Sequence, residues 1–171
     1  VDRLRDTSES HQRCSVVEVM GRRAGHIALM AGTAVGAVAV LVPEIDINFE
    51  RDIVRKIKRI KETGRQHFIV LVSEGVGGTE SLARSIEMRT GIETRTAILG
   101  HVQRGGSPTA FDRDIATRMG YKAVELISKG LVNRVVVYKN SKVSSMDIER
   151  ALELKKPFDK EFYKINSSVS I

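Results

Sequence analysis

Short, nearly continuous apolar runs alternate along the chain with longer segments in which apolar residues recur every three or four positions. The runs have the length and β-branched content of buried strands, and the periodic segments have the spacing of helices. Strands are predicted at Ser15–Met20, Val38–Val42, His67–Ser73, Thr94–Leu99 and Arg134–Tyr138. Helices are predicted at Arg22–Val35, Phe49–Thr63, Thr79 to Gly91, Pro108–Lys129 and Ser145–Glu153. Strands separated by helices imply a three-layer α/β/α fold with a largely parallel sheet.

Capping residues mark several predicted helix boundaries. Ser107 is expected to cap the helix that starts at Pro108, and the pattern Ser144-x-x-Asp147 predicts the start of the last helix. One face of the long helix is predicted to be core, formed by Ala116, Met119, Ala123, Leu126 and Ile127. The tail from Lys155 is polar and mixed, and no element is predicted there.

Composition narrows the class of partner. The 28 Lys and Arg against 21 Asp and Glu give a net charge of +7, which favours anionic partners. Because the chain has no Trp and only 5% aromatic residues, small phosphates are favoured over nucleic acid. No apolar run is long enough to span a bilayer, and no signal-peptide pattern is present, so a cytoplasmic location is expected. Cys14 is interpreted as a core residue, and the histidines lack metal-ligand spacing.

The stretch from Glu18 to Gly25 predicts a strand that ends at Gly21 and opens directly into a helix. Helix-terminal N–H groups beside Arg22 and Arg23 would suit a phosphate. Such a junction also occurs as plain packing in α/β proteins, so the rest of the chain must decide between the two readings.

Charged residues cluster near the ends of the predicted strands: Met20-Gly21-Arg22, Glu74 with Gly75, Arg95, and His101 with Arg104. Since open α/β sheets bind ligands at the carboxyl ends of their strands, these groups are expected to form one cluster at that edge. Arginine and histidine match phosphate oxygens, and a lone glutamate suits sugar hydroxyls, so a phosphorylated sugar fits the set. Taken singly, each of these residues also has a purely structural explanation, such as a helix cap for Glu74 or a surface ion pair for Arg95.

The motifs that carry a family resemblance are Arg5-Asp6-Thr7, His11-Gln12-Arg13, Val17 to Arg22, Ser73-Glu74-Gly75, Glu93-Thr94-Arg95 and Gly100 to Pro108. In order and spacing they resemble the C-terminal half of bacterial ATP-dependent 6-phosphofructokinases. The resemblance implies that family's fold and phosphoryl transfer from MgATP to the 1-hydroxyl of fructose 6-phosphate.

The resemblance also implies roles at the reacting end of the sugar. Met20 and Gly21 would line the sugar, and Glu74 would hold its hydroxyl groups. Arg22 would face the transferring phosphoryl group and is the catalytic candidate in this chain.

The 6-phosphate would be bound by His101 and Arg104. Arg13 and Arg95 would reach the same phosphate across a subunit interface, which implies a homo-oligomer, usually a tetramer.

Several parts of the family's machinery have no counterpart in this sequence. The Gly-rich ATP loop, the Mg²⁺-binding Asp and the catalytic Asp base are expected outside it, so the chain alone is not expected to turn over. Residues 1–102 and 154–171 would form the sugar-phosphate lobe. Residues 103–153 would pack on the ATP lobe, leaving an apolar surface exposed where that lobe is lacking.

The resemblance places an effector site, for ADP or phosphoenolpyruvate, at Arg5, Gly36, Arg65 and His67. The chain departs from the family's pattern there, with Val38 in place of a glutamate and with Thr63 and Gln66 where basic residues are common. Losing a carboxylate that would meet the effector's Mg²⁺ predicts weak regulation or a different effector.

Three other functions stay open at the level of sequence. A pyrophosphate-dependent phosphofructokinase carries similar sugar-binding motifs, and its donor is chosen outside this region. A non-catalytic sugar-phosphate-binding module would bind without turnover. A basic nucleic-acid-binding domain is disfavoured by the scarcity of aromatic residues.

Overall fold

A computed structural model of the chain describes residues 1–170. The chain divides into two compact units, the first comprising Val1–Arg104 with Phe158–Ile171 and the second Gly105–Pro157. Within residues 1–170, no helix combines the length and apolar character needed to cross a membrane.

The elements of the first unit are five α-helices and four strands among the described residues. The helices are α1 (Asp2–Ser10), α2 (His26–Ala34), α3 (Arg55–Glu62), α4 (Thr79–Thr90) and, after the second unit, α7 (Lys160–Val169). The strands are β1 (Cys14–Val19), β2 (Ala39–Leu41), β3 (Phe68–Ser73) and β4 (Thr94–Ile98). A π-helical turn at Glu50–Val54 precedes α3, and a 3₁₀ helix at Gly100–Arg104 follows β4.

The four strands form a parallel sheet in the order β2-β3-β1-β4. Alternate residues of each strand point to opposite faces. One face packs Val17 and Leu71 against Ala28 of α2, while the other packs Val16 against Ile86 of α4. The predicted parallel sheet with helices on both faces is therefore confirmed.

Cys14 is fully buried at the start of β1. Burial raises the pKa of its thiol to about 12, and a hydrogen bond with Thr94 opposes that shift only in part. Since the thiolate is the reactive form, Cys14 is a packing residue, as the sequence predicted.

Helices α1 and α7 were not predicted from the hydrophobic pattern. The tail that follows Lys155 forms α7, capped by Asp159, whose carboxylate accepts from the Phe162 N–H at 2.8 Å. The Tyr163 hydroxyl donates to the Val40 carbonyl at 3.1 Å, which fixes α7 beside strand β2. The anchoring contact lies far away in sequence, so the local pattern could not show it.

The second unit contains α5 (Ala110–Ser128), an antiparallel hairpin of β5 (Arg134–Lys139) and β6 (Lys142–Asp147), and α6 (Ile148–Glu153). The predicted helix Ser145–Glu153 is wrong over its first three residues, because residues 142–147 pair with β5. Asn140 and Ser141 both have positive φ, at 51° and 59°, which suits a two-residue hairpin turn. The helix starts only after Asp147, whose side chain caps it.

Helix α5 differs from its prediction in two respects. Its cap is Thr109, which forms a reciprocal capping box with Asp112, and not Ser107. Of the predicted core stripe only Leu126 is buried, whereas Ala116 and Ile127 are exposed. A two-stranded hairpin is the only sheet in this unit among the described residues, and it covers little of the stripe.

Candidate functional site

A crevice opens at the carboxyl ends of the adjacent strands β1 and β3. It forms there because α2 follows β1 on one face of the sheet while α4 follows β3 on the other, which leaves a gap between the two connections. Its volume is about 790 Å³. Six of the predicted site residues line it: Met20, Gly21, Arg22, Glu74, His101 and Arg104.

The turn after β1 forms one wall of the crevice, and it is not the start of a helix. Residues 21–25 are non-helical, and α2 starts at His26, four residues later than predicted. Gly21 has a φ of +147°, and its carbonyl accepts from the Ser73 hydroxyl at 2.6 Å and from the Gly75 N–H at 3.1 Å. These hydrogen bonds to residues distant in sequence hold the turn in a non-helical conformation.

The amino end of α2 also differs from the prediction of a phosphate site there. The Gly25 N–H donates to both carboxylate oxygens of Glu44, at 2.9 and 3.1 Å. The protein's own carboxylate therefore satisfies a helix-terminal donor that was expected to meet a ligand. Arg22 and Arg23 lie in the turn, outside the helix.

Glu74 connects the two sides of the crevice. Its Oε2 accepts from the Gly21 N–H at 3.3 Å, and its Oε1 lies 3.5 Å from Nε of Arg22. The Arg22 side chain is 85% exposed and that of Glu74 is 32% exposed. The guanidinium is thus loosely held and largely available to a ligand, while the carboxylate is fixed against the turn.

The 3₁₀ helix after β4 supplies two further basic side chains. His101 and Arg104 are both exposed and line the crevice. Gln103 anchors this helix to the first wall, because its Oε1 accepts from the Met20 N–H at 2.7 Å. Two cationic or polar donors on one wall and a fixed carboxylate on another suit a ligand with both phosphate and hydroxyl groups.

Four further residues line the crevice that sequence reasoning did not select as site residues: Glu18, Ile27, Gly100 and Gln103. Gln103 stands inside a motif that the sequence singled out, so its amide was a detectable candidate. Glu18 lies on a strand and accepts a hydrogen bond from the Thr79 hydroxyl. Its place in the crevice depends on strand order, which the sequence does not state.

Arg13 and Arg95 do not belong to this crevice. Arg13 precedes β1, and Arg95 pairs in register with Ser15, so both lie at the amino ends of the strands. The expected single cluster at the carboxyl edge is therefore wrong for Arg95, whereas Arg13 was not predicted to belong to that cluster. Parallel strands carry their first and last residues to opposite edges, so a residue at the start of β4 cannot join those that follow β1. Glu93 bridges the two guanidinium groups.

The four residues proposed from the resemblance as an effector site do lie together. The Arg5 guanidinium contacts the Val35 carbonyl, and Nη2 of Arg65 donates to the Gly36 carbonyl at 3.5 Å. Burial, and then the positive charge of Arg65, lowers the pKa of His67. Nε of Arg5 is buried without a hydrogen-bond partner among the described residues. This arrangement is cationic and has the polarity of an anion site.

No group of three or more histidine, cysteine, aspartate or glutamate side chains in residues 1–170 is arranged to hold a metal ion. Two carboxylates line the crevice, Glu74 and Glu18, and Glu18 already accepts a hydrogen bond from the Thr79 hydroxyl. The other ionisable side chains there are basic, so the set suits an anionic ligand better than Mg²⁺.

The fold is that of an α/β protein with a crevice at the carboxyl edge of a parallel sheet, the edge at which such sheets bind ligands. The family model described as phosphofructokinase matches residues 1–127. The chain belongs to the phosphofructokinase family, and the resemblance seen in its motifs is confirmed.

Similar proteins agree with this assignment. The chain is 52% identical over 170 residues to an ATP-dependent 6-phosphofructokinase of Clostridium botulinum (strain Hall), matching 99% of this chain and 53% of that protein. It is 48% identical to the ATP-dependent 6-phosphofructokinase of Clostridium acetobutylicum, again matching 99% of this chain and 53% of that protein. The chain thus spans about half the length of the curated relatives it matches.

Solved structures show the same fold. A phosphofructokinase from Saccharomyces cerevisiae superposes with a TM-score of 0.79 at 30% identity, over 98% of this chain and 22% of that one. Pichia pastoris phosphofructokinase in the T-state gives a TM-score of 0.81 at 32% identity, over 99% of this chain and 21% of that one.

Proposed function

We propose that this chain supplies the fructose 6-phosphate site of an ATP-dependent 6-phosphofructokinase. The observation that carries the proposal is the crevice, where the Met20 to Arg22 turn, the Glu74 carboxylate and the 3₁₀ helix bearing His101 and Arg104 meet. The names of the relatives support ATP as the phosphoryl donor.

Each wall of the crevice has a chemical role in this proposal. His101 and Arg104 bind the 6-phosphate, because both are exposed and can donate to phosphate oxygens. Glu74 accepts hydrogen bonds from sugar hydroxyls, and Met20 with Gly21 lines the sugar ring. Arg22 stabilises the charge on the transferring phosphoryl group, which its exposed guanidinium is free to approach.

In this proposal, Arg13 and Arg95 can contact a substrate only when a second copy of the chain is present. They lie at the opposite edge of the sheet from their own crevice, so a substrate contact from them reaches the crevice of a neighbouring subunit. This supports a homo-oligomer, proposed to be a tetramer, in which substrate binding and assembly are coupled.

The rest of the reaction depends on groups outside this chain. MgATP, the metal ligands and the aspartate base are proposed to belong to an ATP lobe. Residues of the second unit with exposed apolar side chains, such as Tyr121, Val124 and Ile127, support the proposal that residues 103–153 pack on that lobe. A cytoplasmic location follows from the proposed glycolytic substrates.

The test compares two samples with the same substrates. The purified 171-residue chain and the longest protein product that contains it are assayed with fructose 6-phosphate and either MgATP or pyrophosphate. Turnover is expected only for the longer product and only with MgATP. Turnover with pyrophosphate alone would show that pyrophosphate, and not ATP, is the phosphoryl donor. Binding of the sugar phosphate without any turnover would favour a non-catalytic module. Strong activity of the short chain would refute the placement of base and donor outside it.

Regulation gives a separate prediction. Arg5 and Arg65 offer positive charge beside His67, but Val38 offers no carboxylate for the Mg²⁺ of a nucleotide. Calorimetry on the longer product, saturated at its ATP site, is expected to show no micromolar binding of MgADP at a second site. Micromolar binding there would contradict the prediction of weak ADP regulation.

A further inference from the structure

Glu93 lies between the two arginines at the amino edge of the sheet. Its Oε2 accepts from Nε of Arg13 at 2.8 Å. Its Oε1 accepts from Nε of Arg95 at 2.9 Å and lies 2.6 Å from Nη2 of the same residue. Hydrogen bonds from Arg13 and then Arg95 lower the pKa of Glu93, so the carboxylate is charged at neutral pH. One anion thus joins two cations that would otherwise repel each other.

The backbone around this triad is fixed by the sheet. The Glu93 carbonyl accepts from the Cys14 N–H at 2.9 Å, and the Arg13 carbonyl accepts from the Phe68 N–H at 3.1 Å. Arg95 pairs in register with Ser15 of β1. All three side chains therefore extend from adjacent, hydrogen-bonded backbone, and their relative positions are set before any ligand arrives.

The bonds to Glu93 leave the outer parts of both guanidinium groups available. Arg13 uses its Nε, so both of its terminal nitrogens are without a hydrogen-bond partner in residues 1–170. Arg95 uses Nε and Nη2, which leaves Nη1 for another anion. Their side chains are 29% and 69% exposed, respectively.

We infer that Glu93 is a positioning residue that holds the guanidinium groups of Arg13 and Arg95 side by side for the phosphate of a sugar bound to a neighbouring subunit. This inference rests on the proposed function. Glu93 differs from an anion that blocks the phosphate site. A blocking carboxylate would occupy the terminal nitrogens of both arginines, whereas Glu93 takes Nε of Arg13 and the Nε and Nη2 side of Arg95, which leaves both terminal nitrogens of Arg13 and Nη1 of Arg95 for a phosphate. Two arginines held side by side can meet one phosphate with less loss of side-chain freedom.

The experiment is Glu93→Gln in the longest protein product that contains this chain. Because charge-assisted hydrogen bonds at a partly exposed site are replaced by weaker ones, KM for fructose 6-phosphate is expected to rise roughly 5- to 20-fold. Both kcat and KM for ATP are expected to stay within about twofold, because the triad acts on sugar-phosphate binding alone. The matched control is Glu87→Gln, at an exposed position on α4, which is expected to change none of these three constants.

A second background tests whether Glu93 acts through the arginines. In Arg13→Ala/Arg95→Ala, adding Glu93→Gln is expected to cause no further rise in KM, because the groups that it positions are gone. An equal rise in that background would overturn the inference, as would an unchanged or lower KM in Glu93→Gln alone. Absence of fructose 6-phosphate turnover in the unmutated protein would instead refute the proposed function. Thermal midpoints of all variants check that folding is intact.

Discussion

Replacing Arg22 with alanine is expected to lower kcat of the complete enzyme by about a thousandfold, with a much smaller change in KM for fructose 6-phosphate. The guanidinium is proposed to stabilise charge that develops on the transferring phosphoryl group. Because this charge is largest in the transition state, the interaction contributes to kcat more than to substrate binding. Folding is expected to be unaffected, because the side chain is 85% exposed and its Nε makes only a long contact of 3.5 Å with Oε1 of Glu74. Steady-state kinetics with both substrates varied measures the effect.

Arg23 provides the matched control for this prediction. It is the next residue of the same turn, it is exposed, and no hydrogen bond or ion pair from its side chain is seen within residues 1–170. Arg23→Ala is therefore expected to keep kcat within about twofold, since it removes the same charge beside the crevice without the proposed contact. If Arg22→Ala raised KM and left kcat intact, Arg22 would be a ground-state binding residue and its proposed catalytic role would be wrong.

Gly75→Ala is expected to lower the free energy of unfolding by about 2–3 kcal/mol and to abolish most activity. A Cβ at Gly75 would stand 2.2 Å from the Arg22 carbonyl oxygen and 2.8 Å from its carbonyl carbon. Those atoms are backbone, so the turn itself must move. Such a shift breaks the bond from the Gly75 N–H to the Gly21 carbonyl and displaces the wall that carries Arg22. Urea unfolding and enzyme kinetics together measure the two effects.

Gly120→Ala is the control for the glycine substitution. Gly120 lies within α5, its φ is not in the left-handed region, and a Cβ there would meet no atom within 4 Å. Alanine is the better helix former, so this variant is expected to gain about 0.5–1 kcal/mol of stability. A loss of stability at Gly75 no larger than the change at Gly120 would show that the turn tolerates the added carbon and that the packing argument is wrong.

Strands were predicted more accurately than helix ends. Strand β3 starts at Phe68, one residue from its prediction, and ends at Ser73 as predicted. Buried parallel strands are continuous apolar runs, so a short stretch of sequence is enough to predict where they begin and end. The start of α2 was misplaced because Ser73, Gly75 and Glu44 hold the preceding turn from distant parts of the chain. No local pattern records those bonds.

The hairpin and the terminal helix were missed for related reasons. Ser144 and Asp147 have side chains that can cap a helix, but both lie on β6 in the structure, so the local capping pattern was misleading. Pairing with β5 makes this segment a strand, since six residues of each strand are in register. In α7 the stabilising partner is strand β2, more than a hundred positions earlier in the sequence.

The sequence by itself determined the family, the alternation of strands and helices, and the residue types at the candidate site. Those properties are encoded in motif spacing and hydrophobic period, which are local. Only the tertiary structure decided which site residues meet: Met20, Gly21 and Glu74 share a crevice, whereas Arg13 and Arg95 lie at the opposite edge, joined by Glu93. The physical reason is strand direction and order, because a parallel sheet sends the beginning and the end of each strand to opposite edges, and long-range hydrogen bonding fixes which strands are neighbours.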